Sequence, residues 1–187
     1  MVELIPAREK HRLDEQKLAE YLQDKLPAIG QLAIHQFQGG QSNPTYLLES
    51  GDERFVLRKK PPGELLPSAH QVEREYRVMK ALADTPVPVP KMVLLCEDED
   101  VVGTNFYVME YVEGRVLTDP LLPGLTNAER GEIYDSVNAI LADLHRVDHH
   151  EVGLADFGRE GGYIERQIRR WTKQYQASKT EEIEEME

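Results

Sequence analysis

The sequence predicts an α+β protein: a β-rich first part built around one main helix, then a part made of helices alone. Three observations predict it. Residues 32–60 alternate strand-forming runs with glycine-containing turns. Two further apolar runs carry the strand pattern on to Tyr111. Beyond Tyr111 no convincing strand follows, and capped amphipathic helices take over.

Residues 1–12 are mixed and charged, and read as an extended arm. Leu13, Leu18, Tyr21, Leu22 and Leu26 share one face of a helix that Pro27 and Gly30 close. Strands follow over 32–37, 45–49 and 54–60, where Thr45, Tyr46, Leu47, Phe55, Val56 and Leu57 supply β-branched and aromatic side chains. Gln38-Gly39-Gly40-Gln41-Ser42-Asn43 joins the first two strands, and Ser50-Gly51-Asp52-Glu53 the next two. Pro61-Pro62-Gly63 stops the third strand. Ser68, with Gln71 three residues on, reads as a capping box for a helix whose Val72, Tyr76, Met79 and Leu82 form the buried stripe. Glu75 borders that stripe, and a carboxylate there calls for a cation; Arg58 and Lys59 are nearest in sequence.

Thr85-Pro86-Val87-Pro88-Val89-Pro90 is an extended connector. Strands over 92–96 and 105–111, separated by the acidic turn Glu97-Asp98-Glu99-Asp100, complete a five-stranded antiparallel sheet with one main helix. The organisation expected is an arm and helix over residues 1–30, a lobe over 31–111, a linker over 112–125, and a helical region over 126–187. In the helical region, Thr126 and Glu129 form a capping box before the periodic Ile133, Val137, Ile140, Leu141 and Leu144. A second helix over 163–175 has Ile164, Ile168, Trp171 and Tyr175 on one side and Arg166, Arg169, Arg170 and Lys173 elsewhere. Ser178 with Glu181 starts a third, carrying Ile183 and Met186. Three amphipathic pieces leave apolar faces short of partners, so the expectation is that the helical lobe is incomplete and belongs to a longer protein.

Composition narrows the function classes. The 187 residues carry 22 basic and 34 acidic side chains, a net charge of −12. That argues against a nucleic-acid partner, whose binding depends on neutralising phosphates. A small anion in a locally basic pocket is compatible with it. Cys96 is the one cysteine, in an apolar run, and reads as a buried structural thiol in a reducing, cytoplasmic setting. No apolar run approaches the roughly 20 residues of a membrane helix.

The chemistry-bearing stretch is the glycine turn and the strands around it. Two glycines beside small polar residues let backbone N–H groups approach an anion closely. Arg58, two strands on, is placed to reach the same anion. Read alone, the stretch is equally a plain hairpin with a polar tip.

The whole pattern resembles the protein-kinase-like fold, in the branch of aminoglycoside phosphotransferases and choline-kinase-like enzymes. It is most similar to that branch's phosphotransferase family, including domains fused to acyl-CoA dehydrogenases. The resemblance rests on Phe37-Gln38-Gly39-Gly40-Gln41-Ser42-Asn43, on Phe55-Val56-Leu57-Arg58-Lys59-Lys60-Pro61-Pro62-Gly63 and on Arg74-Glu75-Tyr76-Arg77-Val78-Met79. It continues through Val87-Pro88-Val89-Pro90, Tyr107-Val108-Met109-Glu110-Tyr111-Val112-Glu113-Gly114, Leu144-His145 and Val152-Gly153-Leu154.

What the resemblance implies is ATP and magnesium, with a small-molecule hydroxyl as acceptor. Gly39, Gly40, Gln41, Ser42 and Asn43 would cover the ATP phosphates, although the kinase glycine pattern itself is absent. Arg58 would stand where kinases keep a phosphate-pairing lysine, with Glu75 as its helix partner and Val56 against adenine. Lys60 shares the strand parity of Arg58, so either cation fits. Glu110, Tyr111 and Val112 would be the hinge whose main chain pairs with adenine. The catalytic Asp and the metal ligands are expected beyond Glu187, leaving this chain an inactive nucleotide-binding portion.

His145-Arg146-Val147-Asp148 and Asp156-Phe157-Gly158 imitate a kinase catalytic loop and its metal-binding motif. Neither reads as one, because no Asn follows Asn138 to hold a second metal and the spacing leaves no room for a strand hairpin. His145 reads as a helix C-terminal residue, favourable against the macrodipole. His145, His149 and His150 lack a matching second group for a metal. Two other classes stay open: a non-catalytic nucleotide-binding or scaffold module, and an interaction domain using the basic helix over 166–173.

Overall fold

The structure, a computed structural model, describes residues 4–8, 12–26, 29–38, 43–63, 70–158, 161–178 and 180. It divides into two units, Met1–Gly153 and Leu154–Glu187, so the division falls inside the region read from sequence as one helical lobe.

The first unit is organised by a six-stranded antiparallel sheet in the order β1-β2-β3-β4-β6-β5. The strands are β1 (Leu4–Ile5), β2 (Ala33–Phe37), β3 (Thr45–Ser50), β4 (Glu53–Lys59), β5 (Met92–Cys96) and β6 (Phe106–Glu110). Period-two alternation gives the sheet two different faces. Tyr46, Leu48, Leu57, Phe106 and Val108 point to one, where they form the core with Leu18 and Leu22 of α1 (Glu15–Lys25). Paired positions Leu47 and Val56, then Val56 and Met109, and Arg58 with Tyr107 occupy the other. α2 (Val72–Leu82) joins β4 to β5 in sequence and packs on β5 and β6.

The α+β class holds, and four details differ from the sequence reading. The charged arm contains β1, a sixth strand; two residues are too few to show a period. The helix expected from Ser68 begins at Val72 instead, with Gln71 as an N-cap that makes no side-chain capping bond, and Ser68 lies outside the described residues. The acidic turn winds into a short helix, α3 (Glu99–Val102), because the Asp98 carboxylate accepts from the Asp100 N–H at 3.0 Å and Gly103 ends it at φ +82°. Lys59 faces the core, 3% exposed, its ammonium donating to the Val102 carbonyl at 2.8 Å. Burial pushes the pKa of that ammonium down.

α4 (Asn127–Arg146) opens with the full capping box of Thr126 and Glu129. Its Val137, Ile140, Leu141 and Leu144 are exposed. In the second unit α5 (Tyr163–Ser178) runs one turn further than expected. Ser178 therefore bonds back to the Gln174 carbonyl at 2.9 Å as part of α5. The third helix expected over 181–187 lies outside the described residues.

Candidate functional site

The sheet face opposite the core carries a polar cluster beside an apolar cleft. At the centre of the cluster, Arg58 of β4 donates from Nε to Glu75 Oε2 of α2 at 2.7 Å. Arg58 also reaches Thr45 Oγ1 at 3.1 Å from Nη1. Two more donors converge on the same carboxylate: the Tyr107 hydroxyl at 3.0 Å and the Asn43 amide at 3.0 Å. Three donors on one carboxylate fix its rotamer and thereby the direction of the guanidinium.

Asn43 is 3% exposed, and its orientation follows from its partners. Because Nδ2 donates to Glu75, Oδ1 is the atom 2.9 Å from His70 Nδ1, so that ring nitrogen carries the proton. His70 holds φ +57°, a left-handed conformation uncommon for a residue with a Cβ, at the entry to α2. Burial, followed by the charge and hydrogen bond of Glu75, pushes the Tyr107 phenol up, so it stays a protonated donor.

Lys60, which sequence parity left equivalent to Arg58, goes to a different carboxylate. It pairs with Glu73, which also accepts from the Asn105 amide. Burial works against the Glu73 carboxylate, but Lys60, its own backbone N–H and Asn105 outweigh it and hold its carboxyl below the usual range. The two cations thus take separate helix partners, two residues apart in the first turn of α2.

The cleft beside this cluster has a volume of about 940 Å³ and is walled by Leu47 and Val56 from the sheet, Val89 and Pro90 from the connector, and Met109. Its rim is the segment Glu110, Tyr111 and Val112. Glu110 is held in place by Lys91: its N–H donates to the Lys91 carbonyl and its carboxylate accepts the Lys91 N–H, each at 2.9 Å. The Arg54 guanidinium lies 4.5 Å from the centre of the Tyr111 ring.

Of the residues singled out from sequence, Arg58 and Glu75 are brought together, and Val56, Glu110, Tyr111 and Val112 line one cleft. Gly39, Gly40, Gln41 and Ser42 lie outside the described residues. Asn43 is described, with its side chain directed to Glu75 and His70. Sequence reasoning missed Tyr107, Thr45 and His70 as partners of the cluster. Tyr107 carried a usable signal, since it alternates with Met109 and so shares its face.

The look-alike motifs have local roles. His145 and Arg146 are in the last turn of α4, and Asp148 Oδ1 accepts the His150 N–H at 2.8 Å. Among the described residues no group of three or more His, Cys, Asp or Glu side chains is placed to hold a metal ion, and His149 and His150, with rings 4.2 Å apart, belong to none. No helix of the described residues is long and apolar enough to cross a membrane.

A sequence model of the phosphotransferase enzyme family, APH, matches residues 33–187. The chain belongs to that family. Among curated proteins, this phosphotransferase-family chain is 46% identical over 191 residues to "Acyl-CoA dehydrogenase family member 11" of Rattus norvegicus, covering 100% of the chain and 24% of that protein. It is 47% identical over 184 residues to "Acyl-CoA dehydrogenase family member 10" of Mus musculus, covering 97% of the chain and 17% of that protein. The chain thus spans about a quarter or less of the length of these relatives. A crystal structure from Ralstonia eutropha, named "putative aminoglycoside phosphotransferase", superposes with a TM-score of 0.77 at 48% identity, over 92% of this chain and 50% of that one. The architecture is accordingly the kinase-like phosphotransferase fold.

Proposed function

We propose that this chain is the nucleotide-binding portion of an ATP-dependent phosphotransferase that acts on the hydroxyl of a small molecule. The observation that carries the reading is the 2.7 Å pair of Arg58 and Glu75 on the same sheet face as the apolar cleft. An apolar cleft beside an oriented guanidinium suits a nucleotide: the base enters the cleft and the phosphates meet the cation. The family membership and the name of the crystallised relative support the same reading.

In this reading Leu47 and Val56 pack on the adenine ring, and main-chain groups of Glu110 to Val112 meet its edge. Arg58 holds a phosphate, Glu75 aims Arg58, and Gly39 to Ser42 are the residues assigned to cover the phosphates. Asn43 contributes by anchoring the base of that turn to Glu75. Magnesium bound with ATP neutralises charge on the phosphates, and no described residue is assigned to it. Transfer also needs a carboxylate to take the proton of the acceptor hydroxyl. That role is assigned to no residue of this chain, so these 187 residues bind nucleotide without transferring phosphate. The lone buried thiol, Cys96, supports a cytoplasmic setting.

Calorimetry of the chain with magnesium and ATP tests the reading. Saturable binding is expected, weakened about tenfold or more in Arg58→Met by loss of a charge-assisted phosphate contact. No binding at millimolar ATP would sink it. Robust phosphate transfer that disappears in Asp148→Asn would instead restore the look-alike motif as a catalytic loop.

A further inference from the structure

We infer that the N-terminal strand β1 is a wall of the base-binding cleft, with Leu4 a specificity-determining side chain for the nucleotide base; the inference rests on the nucleotide-binding reading above. β1 pairs with β2 in the register Leu4 with Phe37 and Ile5 with Gln36. Gln36 in turn pairs with Tyr46, whose side chain is in the core. Gln36 and Ile5 therefore belong to the core side of the ladder, and Leu4 and Phe37 to the cleft side. Both Leu4 and Phe37 line the 940 Å³ cleft with Leu47 and Val56.

A two-residue strand has little stability of its own, but this one is held beyond its ladder. The Arg8 N–H donates to Gln36 Oε1 at 2.9 Å, and Gln36 is only 5% exposed. Ala7 packs on the core cluster. These contacts set the register of β1, so Leu4 is fixed at the cleft while still 42% exposed. Neither Leu4 nor Phe37 offers a side-chain donor or acceptor, so they suit the apolar surface of a heterocyclic base and not a phosphate.

The test is calorimetry of the 187-residue chain and its Leu4→Ser and Leu4→Trp variants with adenosine, guanosine, magnesium-ATP and tripolyphosphate. Leu4→Ser is expected to weaken adenosine and ATP about three- to tenfold and to leave tripolyphosphate within about twofold, as for a partly covered apolar contact. Leu4→Trp, which keeps an apolar strand-forming residue, is expected to change the adenosine-to-guanosine preference by about threefold or more. Unchanged adenosine affinity in Leu4→Ser, an equal loss for tripolyphosphate, or an unchanged base preference in Leu4→Trp would each overturn the inference alone. Failure of the wild-type chain to bind adenosine and ATP would overturn it together with the nucleotide-binding reading.

Discussion

Replacing Glu75 with alanine takes one acceptor away from three donors at once. Tyr107 is 2% exposed and Asn43 3% exposed, so the phenol and the amide each lose a partner out of reach of bulk water. An unsatisfied buried polar group costs about 1–3 kcal/mol. The ion pair adds less, because the Arg58 and Glu75 side chains are 29% and 35% exposed and solvent screens them; about 1 kcal/mol or less is expected from it. Allowing for relaxation, the loss is about 3 kcal/mol, or roughly 6–12 °C in Tm for a chain of this size. Urea unfolding followed by circular dichroism measures it. Tryptophan fluorescence would not serve, since the single tryptophan, Trp171, belongs to the second unit. A cycle with Tyr107→Phe isolates the hub: the two changes should couple by about 1 kcal/mol or more. Strict additivity, or a cost for Glu75→Ala below about 0.5 kcal/mol, would refute the shared-acceptor argument.

Three further outcomes follow from neighbouring contacts. Burial lowers the Lys59 pKa from 10.5, so between the folded value and 10.5 the unfolded chain holds a proton that the native state has lost. Stability should therefore rise with pH through that window, and Lys59→Met should flatten the rise in a series of denaturant titrations. Glu73 is shifted in the same direction at acid pH: its pKa lies below 4.5, so its contribution is complete above 4.5 and disappears as pH falls through the folded value. Glu73→Gln should remove that acid-side loss, and an unchanged acid limb would count against the Lys60 pairing. Thr126→Ala breaks the capping box of α4 and should cost about 1 kcal/mol, visible as faster hydrogen exchange at the first amides of that helix.

Much of the site was legible because it rests on short-range rules. Strand parity put Val56 and Arg58 on one face, and helix spacing put Glu75 at the inner edge of α2. Proline, glycine and capping residues marked most boundaries, including the start of α4. The same rules were silent where a partner lies far along the chain. β1 was hidden because its two residues find their meaning only against Phe37 and Gln36. Lys59 read, beside Arg58, as a candidate cation for Glu75, yet its acceptor is a carbonyl 43 residues away, which places it in the core.

By itself the sequence determined the α+β class, the order of the main elements, and which side chains share a face. Those properties depend on periods of two and 3.6 residues and on caps a few residues long. Only the tertiary structure decided that Glu75 gathers Arg58 from 17 residues away and Asn43 and Tyr107 from 32, and that Lys60 turns to Glu73. It also decided that an N-terminal arm lines the cleft. Side chains of matching parity compete for the same carboxylates, and packing of α2 against the sheet, not local pattern, selects which of them meet.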